Sequence, residues 1–185
     1  LSVLLGGDRE AVKVVLIGYR CTGKSAAGRR LAERLGASFV DTDERVEAEA
    51  GGTVAEIVRA EGWAGFRRRE SSVLFRLKED EARVVATGGG VVLDPRNREI
   101  LKSLGLVVWL DASPEAVVRR MDADAGSRGR RPGLTELEPE AEARSLLKER
   151  EPLYRQAADL RIDTTDIGID DVVEELCRRI DQRAR

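Results

Sequence analysis

The chain has 185 residues, of which 34 are acidic, 32 are basic and none is histidine. That length suits one domain with a sizeable core, residues 1–185, and the near-balance of charge excludes a general nucleic-acid binder, so any basic site must be local. Without imidazole, proton transfer falls to carboxylates, lysine, tyrosine, thiol or water.

In chain order, the apolar run Val12–Ile17 predicts a buried parallel strand, and Ala27, Leu31, Ala32 and Leu35 give residues 24–35 a helical stripe. Between them, Gly18-Tyr19-Arg20-Cys21-Thr22-Gly23-Lys24-Ser25 completes the spacing of a P-loop, which holds a nucleoside triphosphate. The loop turns backbone N–H groups onto phosphate oxygens, Lys24 reaches the β and γ phosphates, and the Ser25 hydroxyl ligates magnesium. The candidate ATP contacts are therefore Gly18, Tyr19, Arg20, Cys21, Thr22, Gly23, Lys24, Ser25 and Ala26. Cys21 reads either as a reactive thiol in an anion-attracting loop or as a tolerated small residue; Cys177, on the stripe of a terminal helix, reads as core.

Further strands are predicted near 38–40, 83–87, 106–110 and 160–163, with helices near 44–50, 54–60, 62–79, 95–103, 114–121, 138–149 and 170–182. Thr53 with Glu56 forms a capping box, and Pro114 sits at a first helical position. The alternation of strand and helix predicts an α/β fold: a five-stranded parallel sheet with helices on both faces. The stretch Asp122–Glu140, rich in glycine, proline and charge, reads as a mobile lid of about residues 122–140. No run approaches transmembrane length, and Leu1–Leu5 is too short and lacks the basic flank of a signal peptide. A cytoplasmic protein with no membrane or nucleic-acid partner is expected.

Several constellations carry chemistry. Asp41-Thr42-Asp43 follows a short strand, and carboxylates two apart project the same way from its carboxyl end, one toward a metal and the other toward a substrate hydroxyl; Asp43 fits equally as the cap of the next helix. On the helix after Gly62, Glu70 falls on the apolar stripe and needs a partner. Arg67, three residues earlier, supplies one, and the pair would hold its guanidinium for capture of an anionic substrate. Gly88-Gly89-Gly90 reads as backbone that approaches a ligand closely, or as a tight turn. Arg131 in the lid and Arg150 before Glu151-Pro152-Leu153-Tyr154 are candidate phosphate and anion contacts, although Arg128, Arg130 and Arg131 also fit a solvated loop.

Together, the P-loop, Asp41-Thr42-Asp43, Phe66-Arg67, the triple glycine, Arg131-Pro132 and Arg150 ahead of Pro152-Leu153-Tyr154 resemble the shikimate kinases in order and spacing over nearly the whole chain. The resemblance implies a three-layer P-loop kinase fold of the nucleoside monophosphate kinase kind with a closing lid, acting as a monomer on shikimate with ATP and Mg²⁺. It implies Lys24, Asp43 and Arg131 as catalytic residues. Asp43, Arg67, Gly88, Gly89, Gly90 and Arg150 would bind substrate, Arg120 would join Arg131 and the P-loop on ATP, and Ser25 and Asp41 would serve the metal. The chain departs from the family pattern in a longer segment between Arg120 and Arg131, in Gly133 after Pro132, in Trp63, and in the bulky Tyr19 and Arg20 of the phosphate loop. The competing readings are a kinase of another small hydroxy acid such as gluconate, and a P-loop ATPase using Asp111 at the end of Val107-Val108-Trp109-Leu110. A GTP switch is disfavoured, since the only asparagine is Asn97, which lacks the guanine-reading motif.

Overall fold

Five strands pair into one all-parallel sheet in the order β2-β3-β1-β4-β5: β1 (Lys13–Ile17), β2 (Phe39–Asp41), β3 (Val84–Ala86), β4 (Gly105–Asp111) and β5 (Leu160–Asp163). The structure, a computed structural model, describes residues 13–123, 134, 135 and 137–183. Arg131 and most of the expected lid lie outside the described residues.

Alternation along β1 decides the two cores, because successive side chains of a strand face opposite sides. Val14 and Leu16 pack with Leu31 of α1 (Lys24–Leu35) and Leu176 of α7 (Ile169–Arg183) on one face. Val15 and Ile17 pack on the other face with Leu74, Leu101 and Tyr154, which belong to α3 (Val54–Arg76), α4 (Pro95–Leu104) and α6 (Pro139–Ala157). Two further helices, α2 (Thr42–Ala50) and α5 (Pro114–Ala123), complete the elements that frame the site. With β1 central, its carboxyl-end loop lies beside those of β3 and β4, where ligands bind in open parallel sheets.

The predicted elements differ from the observed ones at a few points. Helix α2 begins at Thr42 rather than 44, because Asp41 caps it by accepting from the backbone N–H groups of Asp43 and Glu44. The two helices expected over 54–60 and 62–79 run as one element that ends at Arg76 and is bent at Gly62, whose φ of 68° breaks the helical path. The predicted Thr53–Glu56 capping box starts that element. Helix α6 continues to Ala157 through Pro152, well past the predicted 149. Burial of Tyr154, stacked on Trp109 with ring centroids 5.7 Å apart, offsets the backbone hydrogen bond that the proline removes. At the ends of the expected lid, Asp122 and Ala123 belong to α5, and Pro139 and Glu140 belong to α6.

Leu31 is fully buried between the sheet and α7, so Leu31→Ala removes apolar contact and leaves a cavity. Chemical denaturation should show a loss of about 2–5 kcal/mol; a change below about 1 kcal/mol would contradict this packing.

Candidate active site

The phosphate loop follows β1 with the backbone that its glycines permit. Gly18 has φ 141°, and a side chain there would collide with the Leu110 carbonyl at the end of β4. Gly23 has φ 93° and opens α1, while Cys21 takes the left-handed region at φ 60°, the one described non-glycine residue to do so. Left-handed or extended-glycine conformations interspersed along a loop in this way turn N–H groups inward, which suits an anion at a helix N-terminus. The Thr22 hydroxyl donates to Tyr19 O at 2.9 Å, and Lys24 Nζ donates to the same carbonyl at 2.6 Å, which keeps the ammonium against the loop.

Ser25 Oγ donates to Asp41 Oδ2 at 2.5 Å, while Asp41 Oδ1 accepts from Asp43 N at 2.9 Å. The cap of α2 is therefore Asp41, which leaves the Asp43 side chain to line a cavity. The Ser25 hydroxyl and Asp41 carboxylate are hard oxygen donors that suit Mg²⁺. Among the described residues no cluster of three or more acidic or cysteine side chains could cage a metal unaided. A Mg²⁺ ion beside this pair would need phosphate oxygens and water to complete its shell.

The cavity holds about 550 Å³, open mouth included, and its lining joins Tyr19 and Arg20 of the phosphate loop to Asp43, Arg67, Gly88–Gly90 and Arg150. The bend at Gly62 precedes the turns of α3 that carry Phe66, Arg67 and Glu70 to its wall. The three glycines make a turn, closed by Val91 N donating to Gly88 O at 3.2 Å, but none of them has a positive φ, so the turn itself does not demand glycine. A Cβ at Gly88 would overlap a Glu70 carboxylate oxygen and stand 2.6 Å from Asp43 Oδ1, and one at Gly89 would stand 3.2 Å from Arg20 N. At Gly90 the nearest atom would be 3.7 Å away, so the third glycine is not required sterically. Arg150, buried, donates to Gly89 O at 3.3 Å, and the Tyr154 hydroxyl donates to the same oxygen at 2.6 Å.

Glu70 corrects one expectation. It makes no close ion pair with Arg67; it is fully buried against Gly88 near Asp43, and its Oε1 has no hydrogen-bond partner. Burial first, then the Asp43 charge, push its carboxyl up to about 8, against the weaker opposing pull of Arg67, Arg150 and Lys24. Arg67 is exposed along α3 and reaches the cavity from its rim.

On the other side of the phosphate loop, Arg120 donates to Cys21 O at 3.4 Å and to Thr164 Oγ1 at 3.1 Å, and also bonds Thr164 O. Arg120, not the exposed Arg119, thus ties the loop to the segment after β5. The ATPase reading loses its acid: Asp111 accepts from Arg161 at 2.6 and 3.0 Å and lines a different cavity from the one beside the loop. Sequence reasoning missed Glu142, which is 4% exposed and pairs with Arg20 at 3.5 Å. It looked like one more acid in Glu138-Pro139-Glu140-Ala141-Glu142, and nothing local marks a partner so far away in sequence.

Among the described residues, no helix is long and apolar enough to cross a membrane. The family model described as "Shikimate kinase" matches residues 20–181. A curated shikimate kinase from Symbiobacterium thermophilum is 48% identical over 172 residues, covering 93% of this chain and 98% of that protein. The structure of shikimate kinase from Acinetobacter baumannii in complex with shikimate superposes with a TM-score of 0.86 at 38% identity, covering 93% and 94% of the two chains. A gluconokinase from Sinorhizobium meliloti, at 16% identity and a TM-score of 0.53, shares the fold alone. A phosphate loop and an arginine-rimmed cavity meeting at a glycine corner, in a chain matched along almost its whole length, place this protein in the shikimate kinase family.

Proposed function

We propose that the protein transfers the γ-phosphoryl group of ATP to the 3-hydroxyl of shikimate, giving shikimate 3-phosphate and ADP on the route to chorismate and the aromatic amino acids. The observation that carries the reading is the single cavity in which Asp43, Arg67 and Arg150 converge beside the phosphate loop. The reading treats residues 1–185 as one monomeric cytoplasmic domain whose lid falls between α5 and α6 in the sequence.

Phosphoryl transfer asks little covalent work of a protein; positioning and charge supply most of the rate. Arg67 and Arg150 take the substrate carboxylate, with Arg150 preset by its bond to Gly89 O. Asp43 accepts the reacting hydroxyl and holds it toward the phosphorus. Gly88, Gly89 and Gly90 let the ring lie against backbone. Lys24 leaves Tyr19 O for the phosphate oxygens and, with Arg131, stabilises the charge that spreads over the transferring group. Ser25 and Asp41 would hold Mg²⁺, which neutralises phosphate charge when bound. Arg120 fixes the loop behind the nucleotide. Glu70, neutral at pH 7, stands against Gly88 without adding a second negative charge beside Asp43.

A coupled ADP assay run with shikimate, with gluconate and with no acceptor should give ADP from shikimate alone, and Lys24→Ala should lower kcat on the order of 10²-fold or more. Turnover confined to gluconate, turnover without an acceptor, or an undiminished Lys24→Ala variant would refute the reading.

The raised Glu70 carboxyl sets a pH window. The folded protein retains a proton from pH 4.5 to about 8 that the unfolded chain has released, so this contribution to stability is complete below 4.5 and is lost as pH rises through about 8. An anion on Arg67 and Arg150 offsets the cations that favour ionised Glu70, so substrate binding and the Glu70 proton support each other. The KM for shikimate should therefore rise above about pH 8, and Glu70→Gln should flatten that rise. An identical pH profile in the variant would show that the proton has no part in binding.

A further inference from the structure

The Glu142 carboxylate divides its two oxygens between parts of the chain that are distant in sequence. Oε2 accepts from Leu134 N at 2.8 Å, from Thr135 N at 2.7 Å and from the Thr135 hydroxyl at 3.1 Å. Oε1 stands 3.5 Å from the Arg20 guanidinium, with both side chains nearly buried, at 11% and 5% exposure. Arg20 belongs to the phosphate loop, yet its side chain lines the same cavity as Arg67 and Arg150, as does Leu134. Its guanidinium lies 5.7 Å from the centre of the Tyr19 ring, and that of Arg150 lies at the same distance from the same ring. Both cations thus lie within reach of the π-electrons of one aromatic ring.

A flexible arginine in a phosphate loop would ordinarily be drawn to the triphosphate, the strongest anion nearby. Here a nearly buried carboxylate competes for it, and that carboxylate is itself fixed by three donors from a neighbouring segment. We propose that Glu142 is a positioning residue that directs Arg20 to the acceptor side of the active site, making it the third cation of the substrate's anion clamp and linking that clamp to the chain at Leu134–Thr135. The inference rests on the shikimate kinase reading given above. It assigns Glu142 a role in acceptor affinity and withdraws the Arg20 side chain, though not its backbone N–H, from the phosphate contacts.

The chemistry separates this role from that of a simple structural clip. Glutamine at 142 keeps an amide oxygen for the N–H groups of Leu134 and Thr135 but loses the charge that holds Arg20. With thermal melting as the control for folding, Glu142→Gln should raise the KM for shikimate roughly tenfold and change kcat and the KM for ATP by less than about threefold. Arg20→Gln should show the same split, and the double variant should be no worse than Arg20→Gln alone, because the two residues act as a unit. An unchanged KM for shikimate in Glu142→Gln, or losses that multiply in the double variant, would overturn the proposal. If Glu142→Gln does not fold, Arg20→Gln alone decides: a rise in the KM for ATP rather than for shikimate places that side chain on the phosphates and overturns it. Wild-type protein that turns over shikimate with normal saturation while these variants behave like it sinks this inference alone, whereas wild-type protein inactive on shikimate sinks the parent reading.

Discussion

The site depends on how closely the corner after β3 approaches what surrounds it. Gly88 leaves room for the Glu70 and Asp43 carboxylates, and Gly89 lies against the backbone of the phosphate loop at Arg20. The same Gly89 presents its carbonyl to Arg150 and Tyr154, and so ties the last turns of α6 to that corner. A Cβ at Gly88 would displace the Glu70 and Asp43 carboxylates, and one at Gly89 would crowd the loop backbone at Arg20. The parallel sheet supplies the frame: β1, β2 and β3 end side by side and deliver the loop, the Asp41 cap and the glycine corner to one edge.

Charge is partitioned around that corner in a way that suits two anionic ligands. Arg20, Arg67 and Arg150 face the cavity, Lys24 stays on the loop, and Arg120 stands behind it. The acids are placed with equal economy. Asp41 divides its oxygens between a helix N-terminus and Ser25, Asp111 is taken by Arg161, Glu142 by Arg20 and its backbone donors, and Glu70 keeps its proton at neutral pH through burial. Asp43 lines the cavity while Asp41 caps the helix, which decides between the two places that spacing alone left open.

What could be read in the sequence follows the range of the physics. The phosphate loop, the strand and helix periods and the Thr53–Glu56 box are local patterns, and each appears close to its predicted place. Asp41 and Asp43 are marked by their spacing, but which of the two turns onto the helix depends on where Ser25 lies. The expected Arg67–Glu70 contact fails although the residues are three apart, because Glu70 turns inward onto Gly88 while Arg67 stays at the rim. Helix α6 runs past its predicted end at 149 to Ala157, where Tyr154 packs on Trp109, a contact that local pattern does not reveal. Glu142 could not be found at all: its meaning comes from Arg20, and only the folded chain joins them.

The most direct test is a crystal structure of the protein with ADP, Mg²⁺ and shikimate bound together. The account predicts the shikimate carboxylate between Arg67 and Arg150, a ring hydroxyl on Asp43 turned toward the phosphate loop, and Mg²⁺ near Ser25 and Asp41. Shikimate bound elsewhere, or with its hydroxyls turned away from the nucleotide, would contradict it.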